Sequence, residues 1–234
     1  GITIAQQITE KLQEEVLIID KRNHIGGNCY DYLDSDTGIL INKYGAHLFH
    51  TNNETVFKWL SRFTDWVEYQ HKVKALLKDG QYVTLPVNKK TKEIVGKENV
   101  LDIFFRPYTK KMWGVELDDL NPDIINRVPI RDDDNELYFP NDKIQVMPKE
   151  GYTKMVENIL NHENITVELK VSLIPLMSTG RHKDYDHIFN SMAIDEYYGF
   201  KYGKLPYRSI KFETIFTFRF SNIFDNTRTK NRNV

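Results

Sequence analysis

The chain has 234 residues, enough for one or two domains with a sizeable core, and its 40% hydrophobic and 28% charged residues are those of an ordinary globular protein. No window approaches the ~18 consecutive apolar residues of a membrane helix, so transmembrane and wholly disordered readings fall away. Thirty-two basic against 33 acidic residues leave a formal net charge of -1, which argues against nucleic acid as the main partner; any phosphate site has to be a local cluster of Arg, Lys or backbone N–H groups. The single cysteine, Cys29, cannot form an internal disulfide and fits a reducing cytoplasm.

Taken in chain order, Ile4, Ala5, Ile8 and Leu12 recur at helical spacing, so residues 2–13 read as an amphipathic helix beginning at Gly1. The start lacks the features of a secretory signal. The run VLII (16–19), closed by Asp20, has the pattern of a buried parallel strand. Helix then strand is the second half of a βαβ unit, whose first strand is expected upstream of Gly1. Residues 66–87 read as two strands joined by the Asp79-Gly80 turn. Residues 151–169 read as a helix followed by the strand ITVEL, and residues 185–195 as a further strand. The Asn-, Thr- and Arg-rich tail, 214–234, is expected to be poorly specified.

Chemistry enters at Asp20. In a dinucleotide fold, glycines after the first strand let backbone N–H groups approach a pyrophosphate, and an acidic residue about 20 positions on binds ribose hydroxyls. Asp20 lies 19 positions after Gly1 and opens DKRNHIGGN, which adds Arg22, Gly26, Gly27 and Asn28. The same letters also read as a strand followed by a Gly-Gly turn. In KYGAHLFHT (43–51), Gly45 permits close approach to a planar ligand, and a neutral imidazole at His47 can donate or accept; with His50 there is no third partner for zinc, and His50 reads as structural. FFRPYTKKMWG (104–114) is dense in aromatics, equally the mark of a core or of a stacking platform, and Pro107 should end or kink a helix through it. Arg127 and Arg131, separated by Pro129, suit an extended segment that presents two guanidinium groups to a diphosphate, or a solvated ion-pair cluster with Asp132, Asp133 and Asp134.

Together with LPVN (85–88), INRVPIR (125–131), ELYFPNDKIQVMPKEGY (136–152) and IDEYYGFKYGKLPYRS (194–209), these blocks resemble the UDP-galactopyranose mutase family, in the family's order and over most of residues 1–213. The resemblance implies a flavoenzyme that interconverts the pyranose and furanose forms of UDP-galactose with reduced FAD and no net redox change, the flavin N5 being the nucleophile at the anomeric carbon. It implies FAD contacts at Gly1, Asp20, Arg22, Gly26, Gly27, Asn28 and His47. Substrate contacts are implied at Asn88, Phe104, Tyr108, Thr109, Trp113, Arg127 and Tyr138, with Arg127 and His47 catalytic and Arg131 secondary. It further implies UDP-galactose as the small-molecule partner, no membrane partner, a cytoplasmic enzyme of cell-surface polysaccharide biosynthesis, and often a homodimer.

The expected fold is α/β: a Rossmann-like FAD-binding domain, incomplete, interleaved with an antiparallel β-sheet domain and a reduced helical region. The expected divisions are an FAD-binding part (1–65), a hairpin (66–88), a shortened helical substrate region (89–126), sheet and substrate strands (127–150), a return to the FAD domain and sheet (151–213) and a divergent tail (214–234). Relative to the family, the segment between Asn88 and Phe104 is short. After Glu213 no counterpart of the family's downstream catalytic arginine is read. DKRNHIGGN alone would also suit an FAD oxidoreductase of the amine-oxidase type. A third reading is a remnant of the mutase that binds UDP without turnover.

Overall fold

The computed structural model describes residues 1–120, 130–207 and 209–212. Among these, the strands are β1 (Val16–Asp20), β2 (Asp31–Leu33), β3 (Leu40–Asn42), β4 (Phe49–Thr51), β5 (Trp66–Glu68), β6 (Val73–Leu76), β7 (Tyr82–Leu85), β8 (Ile144–Pro148) and β9 (Ile165–Leu169). The helices are α1 (Ile2–Leu12), α2 (Glu54–Leu60), α3 (Lys89–Val95), α4 (Arg106–Trp113), α5 (Tyr152–Leu160), α6 (Leu173–Ser178) and α7 (Ile194–Tyr197). The chain divides into two compact units. The first is residues 1–69 with 143–207, and the second holds the described residues 70–120, 130–142 and 209–212.

In the first unit, β1 pairs in parallel with β9, from Val16 opposite Ile165 to Asp20 opposite Leu169. This is the Rossmann-like half-unit that VLIID and ITVEL foreshadow. Helix α1 forms where the periodicity places it, but its buried residues are Ala5, Gln6 and Thr9, whereas Ile4 and Leu12 are 40% and 65% exposed. The helix thus buries Ala5 and Thr9, short side chains that allow close packing, together with Gln6, and leaves Ile4 and Leu12 exposed. Antiparallel ladders join β2 to β3 and arrange β4, β8 and β5 in that order. Tyr152, Met155 and Ile159 of α5 form the core, against Trp59, Phe63, Trp66 and Met147.

In the second unit, the Asp79-Gly80 signal produces the hairpin β6–β7, with Val73 opposite Leu85 and Leu76 opposite Tyr82. Gly80 takes φ +88°, and the Asp79 carboxylate accepts from the Gln81 N–H at 3.0 Å. The hairpin is shorter than the 66–87 reading, because Trp66–Glu68 pairs with β8 in the first unit instead. Pro107 does not end its helix. Leu101–Phe105 widen into a π-turn in which the Arg106 N–H donates to the Leu101 carbonyl, and α4 then starts with Pro107 in its first turn. A first-turn residue has no intrahelical acceptor for an N–H, so the proline's missing donor does no harm there.

The strand expected over residues 185–195 is not formed. A short 3₁₀ turn, Arg181–Asp184, leads into irregular chain and then α7. Residues 185–190 are all exposed, and a strand with neither face covered buries no apolar surface to stabilise it. The tail 214–234 lies outside the described residues.

Candidate nucleotide and substrate sites

At the end of β1, the Asp20 carboxylate accepts from the Arg22 N–H at 2.8 Å. The backbone is stitched to the chain leaving β9: the Val171 N–H donates to the Asp20 carbonyl at 3.0 Å, and that of Lys170 to the Arg22 carbonyl at 2.8 Å. So anchored, the chain turns through Gly26 (φ +84°) and Gly27 (φ +57°) into a single 3₁₀ turn, Gly27–Cys29. At Gly27 a Cβ would meet only the Arg22 guanidinium, 3.9 Å away, so the backbone there is open to a ligand. The Arg22 side chain donates to the Asn28 amide oxygen at 2.8 Å and lies 4.9 Å over the Tyr44 ring. The structure therefore gathers Asp20, Arg22, Gly26, Gly27 and Asn28 around one turn. Gly1 caps α1, its carbonyl accepting from the Ala5 N–H at 3.0 Å.

Around this turn stand residues that motif reading passes over. His24 is 7% exposed. One ring nitrogen lies 2.9 Å from the Ile25 carbonyl and the other 2.7 Å from the Tyr44 hydroxyl, while the ring stacks on Tyr30 at 3.9 Å. Lys43 lies 5.8 Å from the Tyr30 ring and 5.7 Å from that of Tyr44. His47 is half-buried with Nδ1 2.8 Å from the Gly45 carbonyl, and it meets Tyr152 edge-on at 6.3 Å. The Tyr152 hydroxyl is buried with no hydrogen-bond partner among the described residues, and burial pushes its acidity well below that of a free phenol. The Cys29 thiol is likewise pushed up by burial and then by the charge of Asp31.

In the second unit, Asn88 is 1% exposed and caps α3: its oxygen accepts from the Thr91 N–H at 2.9 Å, and its NH₂ donates to the Asn135 carbonyl at 3.3 Å. On α4 Thr109 is buried, but Tyr108 and Trp113 are 59% and 58% exposed, and Phe104 is half-buried in the π-turn. Tyr138 is exposed and belongs to an aromatic group with Phe139 and His71, 4.8 and 5.4 Å away between ring centres. Arg131 is no surface cation. It is 9% exposed and donates to the carbonyls of Leu137 at 2.9 Å, Asn135 at 3.1 Å and Pro86 at 3.3 Å, tying the end of the hairpin to residues 135–137. Asp132 instead pairs with Lys92. Arg127 lies outside the described residues.

Of the residues passed over, Tyr44 and Lys43 were within reach of the sequence, since they directly precede Gly45.

A helix followed by a parallel strand whose end runs into a glycine turn bearing an arginine is a Rossmann-like half-unit, and the family described as NAD(P)-binding Rossmann-like domain matches residues 1–63. The family described as UDP-galactopyranose mutase matches residues 103–229, more than half of the chain. A Klebsiella pneumoniae protein described as "Probable UDP-galactopyranose mutase" is 36% identical over 91% of this chain and 63% of its own length. The dTDP-fucopyranose mutase of Escherichia coli is 35% identical over 93% and 67%, and the UDP-galactopyranose mutase of Mycoplasma genitalium 33% identical over 91% and 63%. The chain belongs to the UDP-galactopyranose mutase family. It spans 63% to 67% of the length of these relatives. The alignment with the Klebsiella protein runs over 249 positions against the chain's 234 residues, so part of that relative lies opposite a gap here.

Proposed function

We propose that this chain is a flavin-dependent mutase that interconverts UDP-galactopyranose and UDP-galactofuranose. The observation that carries the reading is the exposure of Tyr108 and Trp113 on α4, within the stretch matched by the mutase family. Large aromatics held in water at the end of a capped, ion-paired helix are free for a ring to stack on, and stacking a base on an aromatic is worth about 1 to 3 kcal/mol.

The first unit suits FAD on three counts: a glycine turn open at Gly27, the cation Arg22 beside it with Lys43 over the same Tyr44 ring, and a buried Tyr152 hydroxyl without a hydrogen-bond partner among the described residues. When bound and reduced, the flavin supplies a nucleophilic nitrogen for the anomeric carbon. The chain's part is to bind, orient and neutralise. Arg22 and the Gly26–Gly27 backbone would hold the dinucleotide, with Asp20 and Asn28 at its ribose and turn. His47 would stand beside the isoalloxazine as a neutral donor or acceptor. Tyr108 would stack on the uracil, with Phe104, Asn88, Thr109 and Trp113 shaping its pocket, while Tyr138 and above all Arg127 would meet the diphosphate. A guanidinium about 4 Å from the phosphate charge that develops as UDP departs contributes at most about 4 kcal/mol at an effective dielectric of 20, up to about a thousandfold in rate.

The Escherichia coli relative, at nearly equal identity, favours dTDP-fucopyranose as a second candidate substrate. The test is to supply the purified chain with FAD and to follow UDP-galactofuranose and the dTDP sugar by chromatography, with and without dithionite. The expected result is a yellow protein that isomerises the UDP sugar only under reduction. Faster turnover of the dTDP sugar would reassign the substrate. Peroxide release from an amine would make it an oxidoreductase, and absence of any turnover would leave a nucleotide-binding remnant.

A further inference from the structure

Arg22 lies beside the open Gly27 turn and shares one ring, that of Tyr44, with Lys43, yet neither cation pairs with a carboxylate among the described residues. Two unneutralised cations beside open backbone N–H groups make an anion site. What holds them in register is the Tyr44 ring, and what holds that ring is His24. Buried, stacked on Tyr30 and bonded through both nitrogens, His24 links the carbonyl just before the glycines to the phenol in the 43–45 loop. With one ring N–H donated to the Ile25 carbonyl, the other nitrogen accepts from the Tyr44 hydroxyl. The Lys43 N–H donates to the Tyr30 carbonyl at 3.1 Å, so the same two aromatics fix that lysine's backbone as well as its side chain.

We infer that His24 and Tyr44 are a positioning pair, which orients Arg22 and Lys43 over the glycine turn to receive the diphosphate of a dinucleotide. The inference rests on the proposed cofactor reading and adds to it two residues that need not touch the ligand, together with a second cation, Lys43.

Tyr44→Phe keeps the ring beneath both cations and removes only the hydroxyl bonded to His24. His24→Phe keeps the stack on Tyr30 and removes both nitrogens. Each should weaken FAD binding about tenfold in the full chain, read from quenching of flavin fluorescence, since one net hydrogen bond is worth about that factor. Because both changes break the same bond, the double variant should bind within about twofold of the weaker single variant. Tyr44→Phe should lower the melting temperature only as far as one lost hydrogen bond does and lower the affinity as well, whereas a merely structural bond would lower the melting temperature and spare the affinity. Unchanged affinity in Tyr44→Phe, or losses that multiply in the double variant, would overturn the pair. Calorimetric titration with inorganic pyrophosphate separates the pair from the cofactor reading. A chain that binds pyrophosphate but no FAD, and weakens on Arg22→Gln, Lys43→Gln and Tyr44→Phe, overturns the flavin reading alone. A parent chain that binds neither probe overturns both.

Discussion

Asp31 caps a helix 121 residues further along the chain: its carboxylate accepts from the Tyr152 N–H at 2.7 Å and from the Thr153 N–H at 2.9 Å. The Thr153 hydroxyl returns the contact, accepting from the Asp31 N–H at 2.9 Å and donating to its carbonyl at 2.8 Å. An anion at a helix N-terminus satisfies orphan donors and meets the positive end of the helix dipole. Here it also fastens β2 to α5, the helix that carries the core of the first unit.

Removing that carboxylate leaves the buried Tyr152 N–H and the part-buried Thr153 N–H unpaired. Asp31→Ala is therefore expected to cost about 2 to 3 kcal/mol, and Asp31→Asn, which keeps an acceptor, about 1 kcal/mol. The shift in urea midpoint at constant slope measures both.

Gly151 lies directly against the cap at φ +92°, where an added Cβ would fall 2.7 Å from the Asp31 carboxylate oxygen. Gly27 has positive φ but open space. Gly151→Ala should destabilise the protein by more than about 2 kcal/mol and Gly27→Ala by about 1 kcal/mol, the difference being the steric part. Parallel thermal melts distinguish them.

Arg131 satisfies three carbonyls from a buried position. Arg131→Met removes all three bonds, although the Asn135 carbonyl keeps the one from Asn88, and should cost about 3 kcal/mol, with Arg131→Lys recovering only part of it, because an ammonium lacks the planar fork. Urea unfolding reads the loss; an Arg131→Met protein as stable as the parent would refute this structural role.

Tyr108 presents the opposite case. Exposed as it is, Tyr108→Ala should change stability by less than about 0.5 kcal/mol while weakening UDP binding about tenfold or more, through the lost stacking surface. Calorimetric titration with UDP and a melting curve of the same variant separate the two effects.

Glu136 is held below its ordinary value of 4.5, first by the hydrogen bond from Lys74 and that lysine's charge, then by Lys72. A carboxyl whose folded value is depressed stabilises the protein fully above the unfolded value, and that contribution fades as pH falls through the lower folded value. The parent's advantage over Glu136→Gln should thus be present at neutral pH and shrink from about pH 4.5 downward. It should stay below about 1 kcal/mol, since the pair is substantially exposed. Urea midpoints of both proteins across that range check the sign.

Local signals in the chain were enough for α1, β1, α5, β9 and the Asp79-Gly80 hairpin, since periodicity, capping glycines and turn residues act within a few positions. The ordered blocks of motif were enough for the family, because many short matches in one order are hard to meet by chance. Tertiary structure alone decided that α1 buries Ala5, Gln6 and Thr9 rather than Ile4 and Leu12, that no strand forms over residues 185–195, that Tyr108 and Trp113 stand in water, and that Arg131 serves carbonyls. It alone also revealed Asp31 at the head of α5 and His24 under Tyr44. Each of these depends on which distant surface a side chain meets, and a one-dimensional pattern encodes the state of the backbone without naming the partner.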